Sequence, residues 1–458
     1  MSIQEETTQK EIKQLDTSQE ESNLFPEVAE APRFSCALGG AYGATLATYG
    51  AVPILHSGSG CGMANAHGYT FASGLNTGGS QGTTNTPCSC LVEEHVIFGG
   101  EDKLRDLIDS TIKLVKGDLF VVISGCVPAL IGDDVEAVVQ EFRDQAPVIH
   151  VRTAGFAGSA YHGYELFFDA VIDQLLTDRP KEAKQVNLLG IVPNQHVFWK
   201  GDLAVIKRTL ERIGVKVNTI FTDFDGLEAL RKIPAAGLNL VFSPWVGVKT
   251  AQKLEERFGT PYQVISSVPV GPKETTKLLE RVATALGIDN ELVQKVIEEE
   301  ERHAYRFAEY LSELFVVSVP HAFFGVVADS ATAIGMLKYA TNELGWNPQV
   351  VVIADNPPEE FHEHIRAQLT ENLESPFQPT VIFEIDSHKT RQILQQHTMQ
   401  VLLSSSLEKY ISSEELDAIH LGVAFPIYDR VVVDRTYAGY RGGLTLVEDL
   451  SFTYAGPL

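Results

Sequence analysis

Three cysteines occupy glycine-rich or proline-containing turns in the first third of the chain. They are Cys36 in F-S-C-A-L-G-G, Cys61 in H-S-G-S-G-C-G and Cys126 in S-G-C-V-P-A-L-I-G-D-D. Thiolates are the usual protein ligands of iron–sulfur clusters. Glycines beside such a ligand let the backbone approach the sulfides and turn N–H groups toward them. Ser57-Gly58-Ser59-Gly60-Cys61-Gly62 meets that need, and Cys36 precedes Gly39, Gly40 and an expected helix start, whose N–H groups favour a thiolate. Zinc is the competing metal, but intervals of 25 and then 65 residues match no zinc ribbon or knuckle. Three ligands leave a cubane one short. A larger cluster at a subunit boundary would take the rest from another chain.

The remaining reactive residues carry weaker signals. Cys88 and Cys90, in T-P-C-S-C-L, have C-x-C spacing, which suits metal or redox chemistry. Their isolation from other ligands makes ordinary structural thiols the simpler reading, and they are not counted as cluster ligands. His56 and His67 flank the Cys61 turn. Either can hydrogen-bond a cluster, but a satisfied structural role is simpler. The histidines form no H-E-x-x-H pattern, and no G-x-x-x-x-G-K-[ST] loop occurs. Nucleotide hydrolysis, if involved, would belong to a partner.

Composition bounds the setting. A chain of 458 residues predicts two to four domains. The net charge of −24 argues against nucleic acid, whose phosphates need clustered Lys and Arg. All five cysteines precede residue 127, and no export signal accompanies them, which does not suggest a disulfide framework and predicts a cytoplasmic protein. No apolar run reaches the roughly 18 residues of a membrane helix.

Behind the cysteines, strand and helix alternate, the pattern of parallel sheets with helices on both faces. Val52–Leu55 and Leu119–Ile123 read as buried strands preceding Cys61 and Cys126. Ala41–Tyr49 and Glu101–Val115 read as helices, and Asp133 or Asp134 can cap a helix running to Phe142. Val215–Phe221 reads as a strand of a second unit. Asn290–Leu314 reads as a long connector helix whose acidic run, Glu298–Glu301, is a solvated face. The expected fold is α/β: three Rossmann-like, doubly wound domains with parallel sheets. The expected divisions are a flexible arm over 1–30, a cluster-binding domain over 31–180, a second domain over 181–290, and a connector helix, third domain and C-terminal segment over 291–458. Ligands of such sheets sit beyond the carboxyl ends of the strands, where Cys61 and Cys126 fall.

Taken together, Pro53–Cys61, V-E-E-H-V-I-F-G-G-E at 92–101 and C-V-P-A-L-I-G-D-D at 126–134 resemble the nitrogenase component 1 family. A-F-P-I-Y-D-R at 424–430 and A-G-Y-R-G-G at 438–443 look like its β-type subunit. The resemblance implies an α2β2 heterotetramer. It also implies an eight-iron P-cluster ([8Fe-7S]) between α- and β-type subunits, with Cys36, Cys61 and Cys126 on the three β-side ligand positions. An ATP-dependent [4Fe-4S] reductase protein would dock to deliver electrons, and Phe98 matches an aromatic near that docking surface. The family's catalytic cofactor is held in the α-type subunit by a cysteine and a histidine. No cysteine follows Cys126 here, so a cofactor thiol is absent from the second half. Gly155 stands where the family has a serine able to bind the oxidised cluster, and Ser159 lies nearby but out of register.

The resemblance implies an electron-transfer subunit of a nitrogenase or nitrogenase-like reductase, the methylthio-alkane reductases that act on carbon–sulfur bonds included. The alternatives are the β-type half of a cofactor-assembly scaffold and a relative of dark-operative protochlorophyllide reductase. Retention of all three cysteines favours the first.

Overall fold

The computed structural model describes residues 29–75, 86–221, 224–311, 322–371 and 373–455. The expected arm falls almost wholly on residues 1–28, outside the described residues. Its last residue, Glu30, is tied down: its N–H donates to Asp386 at 2.6 Å and its carbonyl accepts from Ser387 N–H at 2.9 Å.

Three sheets follow one another along the chain, and every strand pair in them is parallel. The first contains β1 (Ala51–His56), β2 (Leu119–Ser124) and β3 (Val148–Arg152), in that order. The second contains β4 (Glu182–Leu189), β5 (Lys216–Asn218), β6 (Ala236–Val241) and β7 (Tyr262–Val264), ordered β5-β4-β6-β7. The third is ordered β10-β9-β8-β11-β12 and contains β8 (Phe323–Ala328), β9 (Asn347–Ile353), β10 (Thr380–Phe383), β11 (Val401–Ser404) and β12 (Ile419–Gly422). Its order reverses at β8, the doubly wound arrangement. Strands covered by helices on both faces must be apolar throughout. A-V-P-I-L-H and L-F-V-V-I-S accordingly have every residue buried. Pro53 interrupts no ladder bond because β1 lies at the sheet's edge.

The helices of the first unit are α1 (Ala37–Ala47), α2 (Ser59–Ala72), α3 (Glu93–Phe98), α4 (Glu101–Leu114), α5 (Cys126–Ile131), α6 (Val135–Gln140) and α7 (Ala160–Gln174). α1 begins four residues earlier than the sequence suggests, so Gly39 and Gly40 lie inside it. The reason is its crossing with α7. A Cβ on Gly40 would stand 1.8 Å from the Ala160 carbonyl oxygen, and one on Gly163 would stand 2.0 Å from that of Ala37. The two backbones touch with no side chain between them.

Three other expectations change. Val215–Phe221 keeps strand geometry only over Lys216–Asn218, because the chain turns at Ile220 (φ 67°), whose N–H donates to Asn218 Oδ1 at 3.2 Å. The long helix runs Asn290–Tyr310, and residues 312–321 lie outside the described residues. Its acidic run is not simply solvated: Glu299 and Glu300 pair with Arg212, and Glu301 accepts from Thr276 Oγ1 at 2.6 Å. Among the described residues no helix is long and apolar enough to cross a membrane.

The crossing generates a prediction. Gly40→Ala should lower unfolding stability by about 3 kcal/mol or more, an overpacking cost borne by rigid backbone. Gly60→Ala, whose Cβ would meet nothing within 4 Å, should not lower it. Urea midpoints measure both, and equal midpoints for the two variants would contradict the tight crossing.

Candidate functional site

The register of the first sheet sets the site. His56 is paired with Ser124, and Ser124 with Arg152. The chain segments leaving β1, β2 and β3 therefore emerge side by side at the carboxyl end of the sheet. Cys61 follows β1, Cys126 follows β2 and Gly155 follows β3. Both cysteines lie in the first turn of a helix, where sequence reading placed them in turns: Cys61 is the third residue of α2 and Cys126 the first of α5.

Cys36 arrives by another route, as the N-cap of α1. The starts of α1 and α7 are stitched together: Ala37 N–H donates to the Gly158 carbonyl at 2.8 Å, and Ala160 N–H to that of Ser35 at 2.7 Å. Cys36 thus bridges Ser159, the N-cap of α7. The Ser35 hydroxyl meets Tyr69 OH at 3.1 Å, which joins this segment to α2.

Cys61 lies near enough to Cys36 and Cys126 for their charges to act on it, and those two thiols flank Gly155. A Cβ there would stand 3.0 Å from Cys126 Sγ and 3.9 Å from Cys36 Sγ. Gly155 N–H donates to Cys126 Sγ at 3.0 Å. Burial pushes the Cys61 thiol up; a Ser57 hydrogen bond opposes this, while the charges of Cys36 and Cys126 add to it. The absence of a side chain at Gly155 leaves room between two sulfurs, and its backbone N–H serves one of them. Ser159 points its hydroxyl at His162 Nδ1, 3.1 Å away.

These groups fit an iron–sulfur cluster. The donor set is three thiols at helix starts, whose unbonded N–H groups stabilise thiolate. Cβ atoms on Gly58 and Gly60 would meet nothing within 4 Å, so the Cys61 turn leaves space beside it. Cys36 is exposed, and Cys61 and Cys126 are half-buried. Among the described residues no three His, Cys, Asp or Glu side chains close around a single-ion position.

His56 is structural: fully buried, its Nδ1 meets Ser89 Oγ and its Nε2 meets Asp133 Oδ2, each at 3.1 Å. The side chain of His67 lies outside the described residues. Of the two capping candidates, Asp134 caps α6 by accepting from Ala137 N–H at 3.1 Å. Asp133 instead accepts from Gly100 N–H at 2.9 Å, which fixes the turn after Phe98. Phe98 itself is 82% exposed at the end of α3. Cys88 and Cys90 are not part of the triad.

A cavity of about 590 Å³ at the carboxyl ends of β9 and β10 is lined by His162, Asn356, His362 and Glu384 among others, with no cysteine in its wall. Sequence reading missed it, because its walls come from segments far apart in the chain.

Comparison with known proteins follows the same lines. Residues 36–454 match the nitrogenase component 1 type oxidoreductase family. The nitrogenase iron-molybdenum cofactor biosynthesis protein NifE of Clostridium pasteurianum is 27% identical over 378 residues, covering 80% of this chain and 76% of that protein. The nitrogenase molybdenum-iron protein alpha chain of Methanothermobacter thermautotrophicus is 26% identical over 376 residues, covering 80% and 74%. A solved structure of nitrogenase Cp1 at pH 6.5 superposes with a TM-score of 0.77 at 21% identity over 94% of each chain, which establishes the fold.

Two predictions come from this geometry. Gly155→Ala should displace the Cys126 sulfur and reduce bound iron by half or more, read by iron analysis of the purified protein; full iron content would contradict the packing. The second concerns acid. Burial holds His150 down from 6.5 to about 4, against the opposing charge of Glu136, and His56 is lowered for the same reason. Below about pH 6.5 the unfolded chain gains protons that the folded chain refuses, so stability is full above that pH and falls toward pH 4. His150→Gln should flatten the decline in urea midpoint between pH 6.5 and 4; an unchanged slope would contradict it.

Proposed function

The chain belongs to the nitrogenase component 1 type oxidoreductase family, and from that premise we propose that it supplies half of the thiolate shell of an iron–sulfur cluster shared with a partner subunit. The observation that carries the reading is that Cys36 and Cys126 flank Gly155 while Cys61 lies within reach of the charge of both. Its incompleteness points the same way: three thiols at helix starts, one exposed and two half-buried, leave a cluster's remaining ligands to another chain. Beside them Met63, Leu130 and Phe156 hold apolar side chains 61%, 75% and 70% exposed. Exposed apolar groups around a half-site suit a partner subunit's cover.

In this reading the residues act as a holder. The three cysteines ligate iron, Gly155 N–H places partial positive charge on the Cys126 sulfur, and the first turns of α1 and α2 do the same for their thiolates. A bound cluster of P-cluster type would supply one-electron redox chemistry. The Gly99–Gly100 turn, braced by Asp133, presents Phe98 on the surface where an ATP-dependent reductase protein would dock. The catalytic cofactor, if one serves this complex, is not held here by a cysteine, because all five precede residue 127.

The β-type assignment rests on the two C-terminal motifs and that missing thiol. The NifE relative is named for cofactor biosynthesis and supports a second reading, a cofactor-assembly scaffold, while the alpha-chain relative weighs against the β-type assignment. Both readings use the same half-site, and iron content with electron paramagnetic resonance separates them. About eight irons per pair of unlike subunits supports the electron-relay reading, whereas about four supports the scaffold.

Cys61→Ala and Cys126→Ala should each lose the cluster and any reductase-driven turnover, while Cys90→Ala should keep its iron. Undiminished iron in both of the first two variants would remove those cysteines from the site.

A further inference from the structure

Cys88 and Cys90 remain outside the cluster half-site, yet the fold holds them in a defined arrangement. Residues 87–89 run alongside β1: Leu55 N–H donates to the Pro87 carbonyl at 2.8 Å, and Ser89 N–H to that of Leu55 at 2.9 Å. Cys88 is thereby bridged to Leu55 and pinned over the turn that leads to Cys61. Its thiol donates to the Ser57 carbonyl at 3.7 Å and lies 4.0 Å from the Gly58 carbonyl.

Cys90 then takes a left-handed backbone, φ 48°, which residues with a Cβ seldom adopt. The turn brings the Cys90 N–H to 3.4 Å from Cys88 Sγ. Burial pushes the Cys88 thiol up, and the neighbouring Cys90 backbone N–H opposes this. Cys88 is half-buried and Cys90 is exposed. Two sulfurs alone do not close a metal site, and among the described residues no third His, Cys, Asp or Glu completes one.

We propose that Cys88 and Cys90 form a redox-active dithiol whose substrate is a low-molecular-weight disulfide. The exposed Cys90 thiolate attacks one sulfur of the external disulfide. A mixed disulfide forms at Cys90 and the first small thiolate leaves. The Cys88 thiol gives its proton to solvent and attacks the Cys90 sulfur, forming the Cys88–Cys90 disulfide and expelling the second small thiolate. The protein's two thiols are oxidised by two electrons, and one small disulfide becomes two small thiols. Oxidation also removes the Cys88 S–H, so the Ser57 carbonyl loses that donor. The turn carrying Cys61 thus registers the thiol–disulfide state around the protein, whether or not iron is bound.

The purified full-length protein, with any partner that accompanies it, tests this. It is equilibrated anaerobically with mixtures of reduced and oxidised glutathione, trapped with N-ethylmaleimide and cleaved with chymotrypsin for mass spectrometry of the peptide ending at Leu91. The expected result is conversion, as oxidised glutathione rises, from a doubly maleimide-labelled peptide to an unlabelled one lacking two hydrogens. Cys88→Ser should instead accumulate a glutathione adduct on Cys90. A wild-type peptide that stays doubly labelled in excess oxidised glutathione, or that stops at the Cys90 adduct, would overturn the proposal. Iron content measured on the same samples reports the cluster half-site separately, so failure of either is recognisable alone.

Discussion

The contact on which the candidate site depends is the crossing of α1 and α7, where glycine meets backbone on both sides. Gly40 lies against Ala160 and Gly163 against Ala37, too close for any side chain. Cys36 sits at the very start of α1, and Ser159 at the start of α7. The crossing therefore decides where Cys36 points. Cys61 and Cys126 are delivered by adjacent strands, as any parallel α/β sheet would deliver them. Without the crossing the site would hold two thiols.

Around that arrangement the electrostatics are mutually opposed. Helix starts and the Gly155 N–H favour thiolate, while burial and neighbouring sulfurs disfavour it at Cys61. Cys ligands bind metal as thiolates, so a bound cation would offset the charge that three neighbouring sulfurs bring together, which is the physical reason the triad suits iron. Asp133 braces the periphery: one carboxylate holds both buried His56 and the Gly100 N–H beside the Phe98 turn. The turn that leads to the Cys61 thiol and the surface bearing Phe98 are thus connected by a short path of hydrogen bonds.

Much of this was legible in the sequence because buried parallel strands leave a continuous apolar signature. V-P-I-L and L-F-V-V-I identified β1 and β2, and with them the carboxyl end of the sheet where Cys61 and Cys126 emerge. The three cysteines were found from turn composition alone. What was not legible depended on distant contacts. Gly39 and Gly40 read as a helix boundary, since glycine disfavours helix interiors; the facing backbone of α7 explains the place of Gly40 inside α1, and the Asn65 and Ser35 side chains that of Gly39. Gly155 read as a lost ligand, whereas its position between two sulfurs needs the third strand's register. Cys88 and Cys90 read as isolated because Ser57 is thirty-one residues from Cys88 along the chain.

The central claim is that Cys36, Cys61 and Cys126 together hold iron at a boundary with another chain. Anomalous diffraction at the iron absorption edge, from crystals of the anaerobically purified complex, tests it most directly. The expected map shows iron bonded to all three sulfurs, with the density continuing away from Gly155 into the partner subunit. Iron bound elsewhere in the chain, or density touching fewer than three of these sulfurs, would contradict it.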